Sequence, residues 1–211
     1  MARLLSADAS TDLDPLLACL RRDGVLAVPT DTIYGLAANA LSAAAVAAVF
    51  RVKGRPEEKA MPLVVAGMAQ AEAVAGDLPP LFHALAAAYW PGPLTLVVRA
   101  RPELPRNLLA GGETVALRQP AAPFLLRLLE AAGFPLTATS ANRSGEAGCR
   151  SAAEVLEQLG DRLEYVLDGG PSASALPSTI VDLTAPSPRL IRSGAIGWDK
   201  LKTWLETTAA E

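Results

Sequence analysis

The chain has 211 residues, of which 51% are hydrophobic and 19% charged, with a formal net charge of −3. That length and apolar share predict one compact domain with a sizeable core and exclude a disordered chain, while the acidic balance argues against a bulk nucleic-acid surface. Cys19 and Cys149 are the two cysteines and His83 the sole histidine, which excludes a Cys/His zinc site and any Ser-His-Asp relay not built on His83.

Acidic residues interrupt any apolar run in MARLLSADASTDLDP, so no cleavable signal is read there. No window reaches about 18 uninterrupted apolar residues, so no membrane span is expected and the protein is placed in the cytoplasm. Arg3–Leu5 reads as a short edge strand. Residues 10–22 read as a helix that opens on Ser/Thr/Asp with Pro15 early and stops before Gly24. Val25–Val28 is an apolar run with the length of a buried strand, stopped by Pro29, which has no amide proton to continue a ladder. Thr30, Asp31, Thr32 and Tyr34 follow at once. Hydroxyls, a carboxylate and a phenol at a strand's carboxyl end suit a pocket wall, and Thr30 and Asp31 equally suit a turn or helix cap.

Ser42–Val52 reads as a helix capped by Ser42, delivering Lys53-Gly54-Arg55-Pro56. Strands follow at 62–66, 94–99, 114–118 and 136–139, with helices at 68–75, 81–89 and 123–132 between them. A helix at 152–159, a strand at 165–167, paired strands at 178–183 and 189–192, and a helix at 198–205 complete the chain. Asp168–Pro177, rich in Gly, Ser, Ala and Pro, is read as a mobile loop, and Trp90-Pro91-Gly92-Pro93 as a structural turn. Alternating strands and helices predict an α/β fold, with an antiparallel portion at the last hairpin.

The polar residues gather at strand ends: Thr32 and Tyr34, Arg118, Ser140 and Asn142, Ser178 and Thr179, and Arg192, with Lys53 and Arg55 at a helix end. Hydroxyls, amides and guanidinium groups without a carboxylate cluster favour an anionic ligand such as a nucleotide, and catalysis by positioning and charge neutralisation. Bland roles stay open for each. Lys53 and Arg55 can complement a helix dipole, Ser140 can cap a helix, and Arg192 can sit exposed on a strand. Neither G-x-x-x-x-G-K-[ST] nor G-x-G-x-x-G occurs, so ATP would bind without a P-loop.

With those residues in place the chain resembles the YrdC/TsaC family of threonylcarbamoyl-AMP synthases. The matching stretches are PTDTIYGLAANA (29–40), KGRP (53–56), MPLVV (61–65), YWPGPLTLVV (89–98) and TVALRQP (114–120), continued by SANRSG (140–145), LDGGP (167–171), PSTIVDL (177–183) and LIRSGAI (190–196). The resemblance implies a single domain over 1–211, with core motifs at about 25–197. It also implies a twisted mixed parallel and antiparallel sheet whose concave face holds a positive cavity. The implied reaction joins L-threonine, bicarbonate and ATP into threonylcarbamoyl-AMP and pyrophosphate, with Mg2+ on the nucleotide. A downstream transferase complex would pass the group to tRNA, with possible tRNA contact by this chain. By the same resemblance Thr32, Tyr34, Arg118, Ala138 and Ser178 would form the threonine side. Lys53, Arg55, Thr114, Ser140, Asn142 and Arg192 would form the ATP side, Lys53 and Arg55 being catalytic.

The chain departs from the family pattern at Met61, at Ala66, in EAGCRS after SANRSG, and at Ala175-Leu176-Pro177. These changes touch the nucleotide side more than the threonine side. They leave two other readings: a noncatalytic module binding tRNA or double-stranded RNA, and a divergent paralogue using the same pocket for another substrate.

Overall fold

Period-two alternation in the strands decides which face is buried and which is left to a ligand. A computed structural model describes residues 1–54, 60–172, 174 and 176–208. The elements are β1 Arg3–Ser6, α1 Asp14–Arg21, β2 Leu26–Val28, β3 Gly35–Ala37, α2 Ala43–Lys53, β4 Leu63–Val64, α3 Met68–Val74 and α4 Pro80–Tyr89. They continue as β5 Leu94–Arg99, β6 Thr114–Arg118, α5 Pro123–Ala132, β7 Leu136–Thr137, β8 Thr139–Ser140, α6 Ala152–Leu159, β9 Tyr165–Asp168, β10 Thr179–Asp182, β11 Arg189–Arg192 and α7 Trp198–Thr208.

The expected α/β fold with mixed pairing is present, but as two sheets instead of one. The first runs β1-β9-β2-β3-β8 and the second β11-β10-β5-β6-β4-β7, each mixing parallel and antiparallel pairs. They meet where Asn39 bridges Leu136 antiparallel and the Thr137 amide donates to Ala38 O at 2.9 Å. The stretch read as one strand, 136–139, breaks at Ala138. Leu136–Thr137 pairs with β4 in the second sheet, while Thr139–Ser140 pairs with β3 in the first. Gly35–Ala37, missed in the sequence because Gly and Ala carry little strand propensity, pairs with β2 and β8.

Alternate side chains sort the layers. In the first sheet Leu26 and Val28 pack with α1 and α5, whereas Val25 and Ala27 join the larger core beneath α2 and α6. In the second sheet Leu94, Leu96, Val98, Val115, Leu117 and Val181 turn into that larger core. The intervening Thr95, Val97, Thr114, Ala116, Arg118 and Ile180 face the other way. Helix α2 begins at the expected cap, Ser42 Oγ accepting from the Ala45 amide at 3.3 Å, and ends on Gly54 in the left-handed region. Helix α1 starts only at Asp14. Ser10 instead donates to the Asp8 carboxylate, and the Thr11 hydroxyl accepts from the Asp8 amide and donates to Ser6 O, so the hydroxyls read as a helix start form a turn.

Candidate functional site

The second sheet's uncovered face becomes the floor of a cavity of about 450 Å3, within the range for small-molecule sites. Register places Arg192 beside Ile180, Ile180 beside Thr95, and Arg118 beside Val64, so hydroxyl and guanidinium groups stand in one band across the strands. A bulge between Ile180 and Val181 leaves Ile191 unpaired and half exposed at the rim. The first sheet closes the opposite wall with the β2–β3 turn and the Ala138 crossing between sheets. The described lining carries two guanidinium groups and no carboxylate.

Arg118 is the most constrained of these groups. Its Nε donates to Gly92 O at 2.9 Å, its Nη1 to Thr32 Oγ1 at 3.1 Å, and its Nη2 to Asp31 Oδ1. Five N–H groups minus three used leaves one on each terminal nitrogen, a fork that matches a carboxylate. Burial pulls the Arg118 pKa down and the Asp31 charge opposes that pull, so a cation persists in a largely water-free wall. The WPGP turn therefore does more than reverse the chain: its Gly92 carbonyl orients Arg118.

The Thr30–Tyr34 turn is organised by hydroxyls. Thr30 Oγ1 donates to Ile33 O at 2.8 Å and accepts from the Thr32 amide at 3.0 Å. Its proton being used, the 3.0 Å contact between the two hydroxyls has Thr32 as donor. Thr32 thus offers the cavity acceptor capacity only. Tyr34 is fully buried, its hydroxyl donating to Gly170 O at 2.7 Å and accepting from the Gly169 amide at 3.2 Å. Burial raises its pKa, so the phenol stays a donor. The start of the loop read as mobile is held by these bonds and by the Ser172 amide on Arg150 O at 2.7 Å.

Across the floor, Arg192 donates to Ser178 O through Nε at 3.1 Å and Nη2 at 2.9 Å, and to Ser178 Oγ at 3.1 Å. Ser178 Oγ also lies 2.7 Å from Thr95 Oγ1. Nη1 of Arg192 meets no protein partner among the described residues, and the residue opens to solvent at the mouth while its Nε–Nη2 edge is partly buried against Ser178. Burial first, then the nearby Arg118 charge, lowers its pKa. A guanidinium whose charged state is disfavoured by a neighbouring cation gains by taking an anion.

Eight of the eleven residues expected from sequence line this cavity: Thr32, Tyr34, Thr114, Arg118, Ala138, Ser140, Ser178 and Arg192. Arg55 lies outside the described residues. Lys53 and Asn142 are buried and do not line it. The Lys53 ammonium donates to Ser140 O, to Asn142 O at 3.0 Å and to Asn142 Oδ1 at 3.1 Å. The Asn142 amide group in turn donates to Arg143 O and Glu146 O, each at 2.8 Å. Lys53 and the Ser140-Ala141-Asn142 stretch thus form a clip that shapes the turn after β8, with Ser140 as its cavity-facing member.

Sequence reading missed Thr95 and Asp31. Thr95 is a polar residue inside an otherwise apolar strand, a signal that was available. The sequence leaves Asp31 open between pocket wall and cap, and only the fold brings Arg118 to it. Of the departures from the family pattern, Met61 does line the cavity, whereas Ala66 does not. Gly148 packs its backbone on Ile33, where a Cβ would lie 2.7 Å from Cδ1.

The family model that matches, described as telomere recombination and covering Sua5, YciO and YrdC proteins, spans residues 18–194. A threonylcarbamoyl-AMP synthase of Pyrococcus abyssi is 38% identical over 183 residues, covering 87% of this chain and 54% of that protein. The enzyme of that name from Klebsiella pneumoniae is 37% identical over 180 residues, covering 84% and 93%. Among solved structures, P. abyssi Sua5 complexed with L-threonine superposes with a TM-score of 0.92 at 34% identity, over 96% of this chain and 60% of that one. Escherichia coli YciO, at 24% identity and a TM-score of 0.82 over 92% and 97%, shares the fold. The chain thus spans about half to three fifths of the Pyrococcus proteins and nearly all of the shorter relatives. With a family model covering most of its length and relatives above 35% identity at both sizes, the chain belongs to the Sua5/YciO/YrdC family.

Proposed function

We propose that the protein is a threonylcarbamoyl-AMP synthase, joining L-threonine, bicarbonate and ATP with release of pyrophosphate, and so a nucleotidyltransferase. The observation that carries this reading is Arg118, held by three partners with two N–H groups left to grip a carboxylate beside a hydroxyl that can only accept. That is a subsite for an amino acid, and the likeness to Sua5 complexed with L-threonine supports threonine as the occupant.

The roles follow from the groups present. The threonine carboxylate sits on Arg118, its ammonium or hydroxyl on Thr32 Oγ1, and Ala138 and Ser178 complete the wall. The product contains an N–C–O–P chain, so two bonds must form. The substrate nitrogen joins the bicarbonate carbon with loss of water, and a carbamate oxygen attacks the α-phosphorus as its bond to pyrophosphate breaks. Arg192, whose Nη1 has no partner among the described residues, and Thr114 face the negative charge that grows on the departing phosphates, and the family resemblance assigns Arg55 to the same task. Lys53 acts from behind by fixing Ser140.

Mg2+ is proposed to travel on the nucleotide. Among the described residues no three His, Cys, Asp or Glu side chains converge to hold a metal, so the described groups do not form a cage and no step is routed through one. Transfer to tRNA belongs to a downstream complex, and direct tRNA contact is part of the same proposal. No described helix is long and apolar enough to cross a membrane, consistent with the proposed cytoplasmic setting.

The test is pyrophosphate release from ATP and bicarbonate with and without L-threonine. Strict dependence on threonine is expected. Release that ignores threonine, or tight tRNA binding with no nucleotide turnover, overturns the assignment.

A further inference from the structure

Asp31 is the residue the proposed chemistry does not use, and its surroundings are unusual. Its side chain is 13% exposed, its Oδ1 holds Arg118 Nη2, and its Oδ2 is buried with no hydrogen-bond partner among the described residues. A guanidinium that met both oxygens would cancel the carboxylate more fully; here one oxygen is met and the other is not. Asp31 does not line the main cavity. It lines a neighbouring hollow between Ala7–Ala9 and the start of α5, so it acts on the cavity through Arg118.

The consequence concerns which carboxylates Arg118 accepts. A buried guanidinium alone attracts any anion, whether carboxylate, phosphate or bicarbonate. With Asp31 bound to the same guanidinium, the subsite is close to neutral, and a plain anion entering it meets a fixed negative charge. The other groups bordering the fork are acceptors as well: Thr32 Oγ1, whose proton is committed to Thr30, and Gly92 O, already on Arg118 Nε. A fork of donors surrounded by acceptors complements a molecule that brings a cation next to its carboxylate. An α-amino acid zwitterion has that pattern.

We infer that Asp31 is a specificity-determining positioning residue that makes the Arg118 subsite select zwitterionic α-amino acids over simple carboxylates and inorganic anions. This rests on reading the cavity as an L-threonine site. It also separates the two substrates by charge. The nucleotide phosphates are drawn to uncompensated Arg192, and the amino acid to compensated Arg118, which keeps anions from occupying the threonine position.

Calorimetric titration of the intact protein with L-threonine and with (R)-3-hydroxybutanoate, the same molecule without its amino group, tests the inference. The wild type is expected to bind threonine at least 30-fold more tightly. Asp31→Asn keeps an acceptor oxygen for Nη2 but removes the charge. It is expected to shrink that ratio about tenfold, weakening threonine while tightening the hydroxy acid, with Asp31→Glu recovering most of the preference. A purely structural role would weaken both ligands together and leave the ratio unchanged, and that result overturns the inference while the threonine reading stands. Wild-type protein that binds neither ligand overturns both. Where Asp31→Asn loses its cooperative unfolding transition, the ratio in Asp31→Glu decides: a collapsed preference with the charge present refutes the role.

Discussion

Gly194 lies where the last site strand folds back over the segment that carries Ser178, and adding one methyl group there tests how tightly the proposed nucleotide-binding Arg192 is held. A Cβ at Gly194 would meet Pro177 O and lie 2.5 Å from Ser178 C and 2.6 Å from Ser178 O, all backbone atoms that no rotamer change can move. Carbon contacts are comfortable at roughly 3.5 Å, so residues 192–196 must retreat about 1 Å in Gly194→Ala. That retreat strains the Ala195 amide bond to Pro177 O at 2.9 Å, both Arg192 donations to Ser178 O, and the Thr179 hydroxyl contacts to Ile196. Overpacking together with a partial weakening of these five bonds puts the loss at about 2–4 kcal/mol, or roughly 5–15 °C in Tm for a domain of this size. The Arg192 guanidinium moves with its backbone, and a shift of about 1 Å at a positioning group costs on the order of 100-fold in kcat/KM, read mainly in KM for ATP. Urea unfolding and pyrophosphate-release kinetics measure the two effects. Gly197→Ala is the control, because its Cβ meets nothing within 4 Å; under about 1 kcal/mol is expected. Wild-type stability and KM for ATP in Gly194→Ala would refute the packing account of this segment.

Other substitutions probe the remaining walls. Lys53→Met strands the Ser140 and Asn142 acceptors inside the protein and should lower unfolding free energy by about 2–4 kcal/mol alongside activity, so a variant inactive yet fully stable would reassign Lys53 to direct substrate contact. Tyr34→Phe removes the hydroxyl shared by Gly169 N and Gly170 O at a cost of about 1–2 kcal/mol. Hydrogen exchange at the Gly169 amide should speed up, and unchanged protection would show that the loop is held elsewhere. Burial pushes the Cys149 thiol up to about 11 and Cys19 up to about 12. Both thiols are therefore protonated in the native state above the pH of about 8.5 at which the unfolded chain releases its thiol protons. Their contribution to stability is complete below that pH and declines as pH climbs toward 11. The urea midpoint should fall between pH 8.5 and 10.5, and fall less in a Cys19→Ala/Cys149→Ala double variant; equal falls would clear the thiols of the effect.

Particular residues show what the chain order alone could report. LTLVVR and TVALR are short apolar runs that carry Val and Thr, so a strand is legible at each. Ser42 announces the start of α2, and Gly54 its end, because capping and left-handed backbone are local properties. Seven of the eight expected residues that line the cavity do so for a related reason: hydroxyls and arginines at the ends of apolar strands have no place in a core, whereas Ala138 was expected from the family resemblance alone. Three things were out of reach. The break at Ala138 depends on two competing partners, β4 and β3, whose separation is set by the whole chain. The partnership of Asp31 with Arg118 joins residues 87 apart in sequence, and nothing local to PTDT distinguishes an ion-pair carboxylate from a cap. The burial of Lys53 within the Ser140–Asn142 turn likewise arises from the return of the chain after β8. Local sequence thus determined the elements and their polar faces, since propensity, capping and period-two patterning act over a few residues. Tertiary structure alone decided which polar faces meet across the seam of the two sheets, because those contacts depend on register and on electrostatic partners that no short stretch contains.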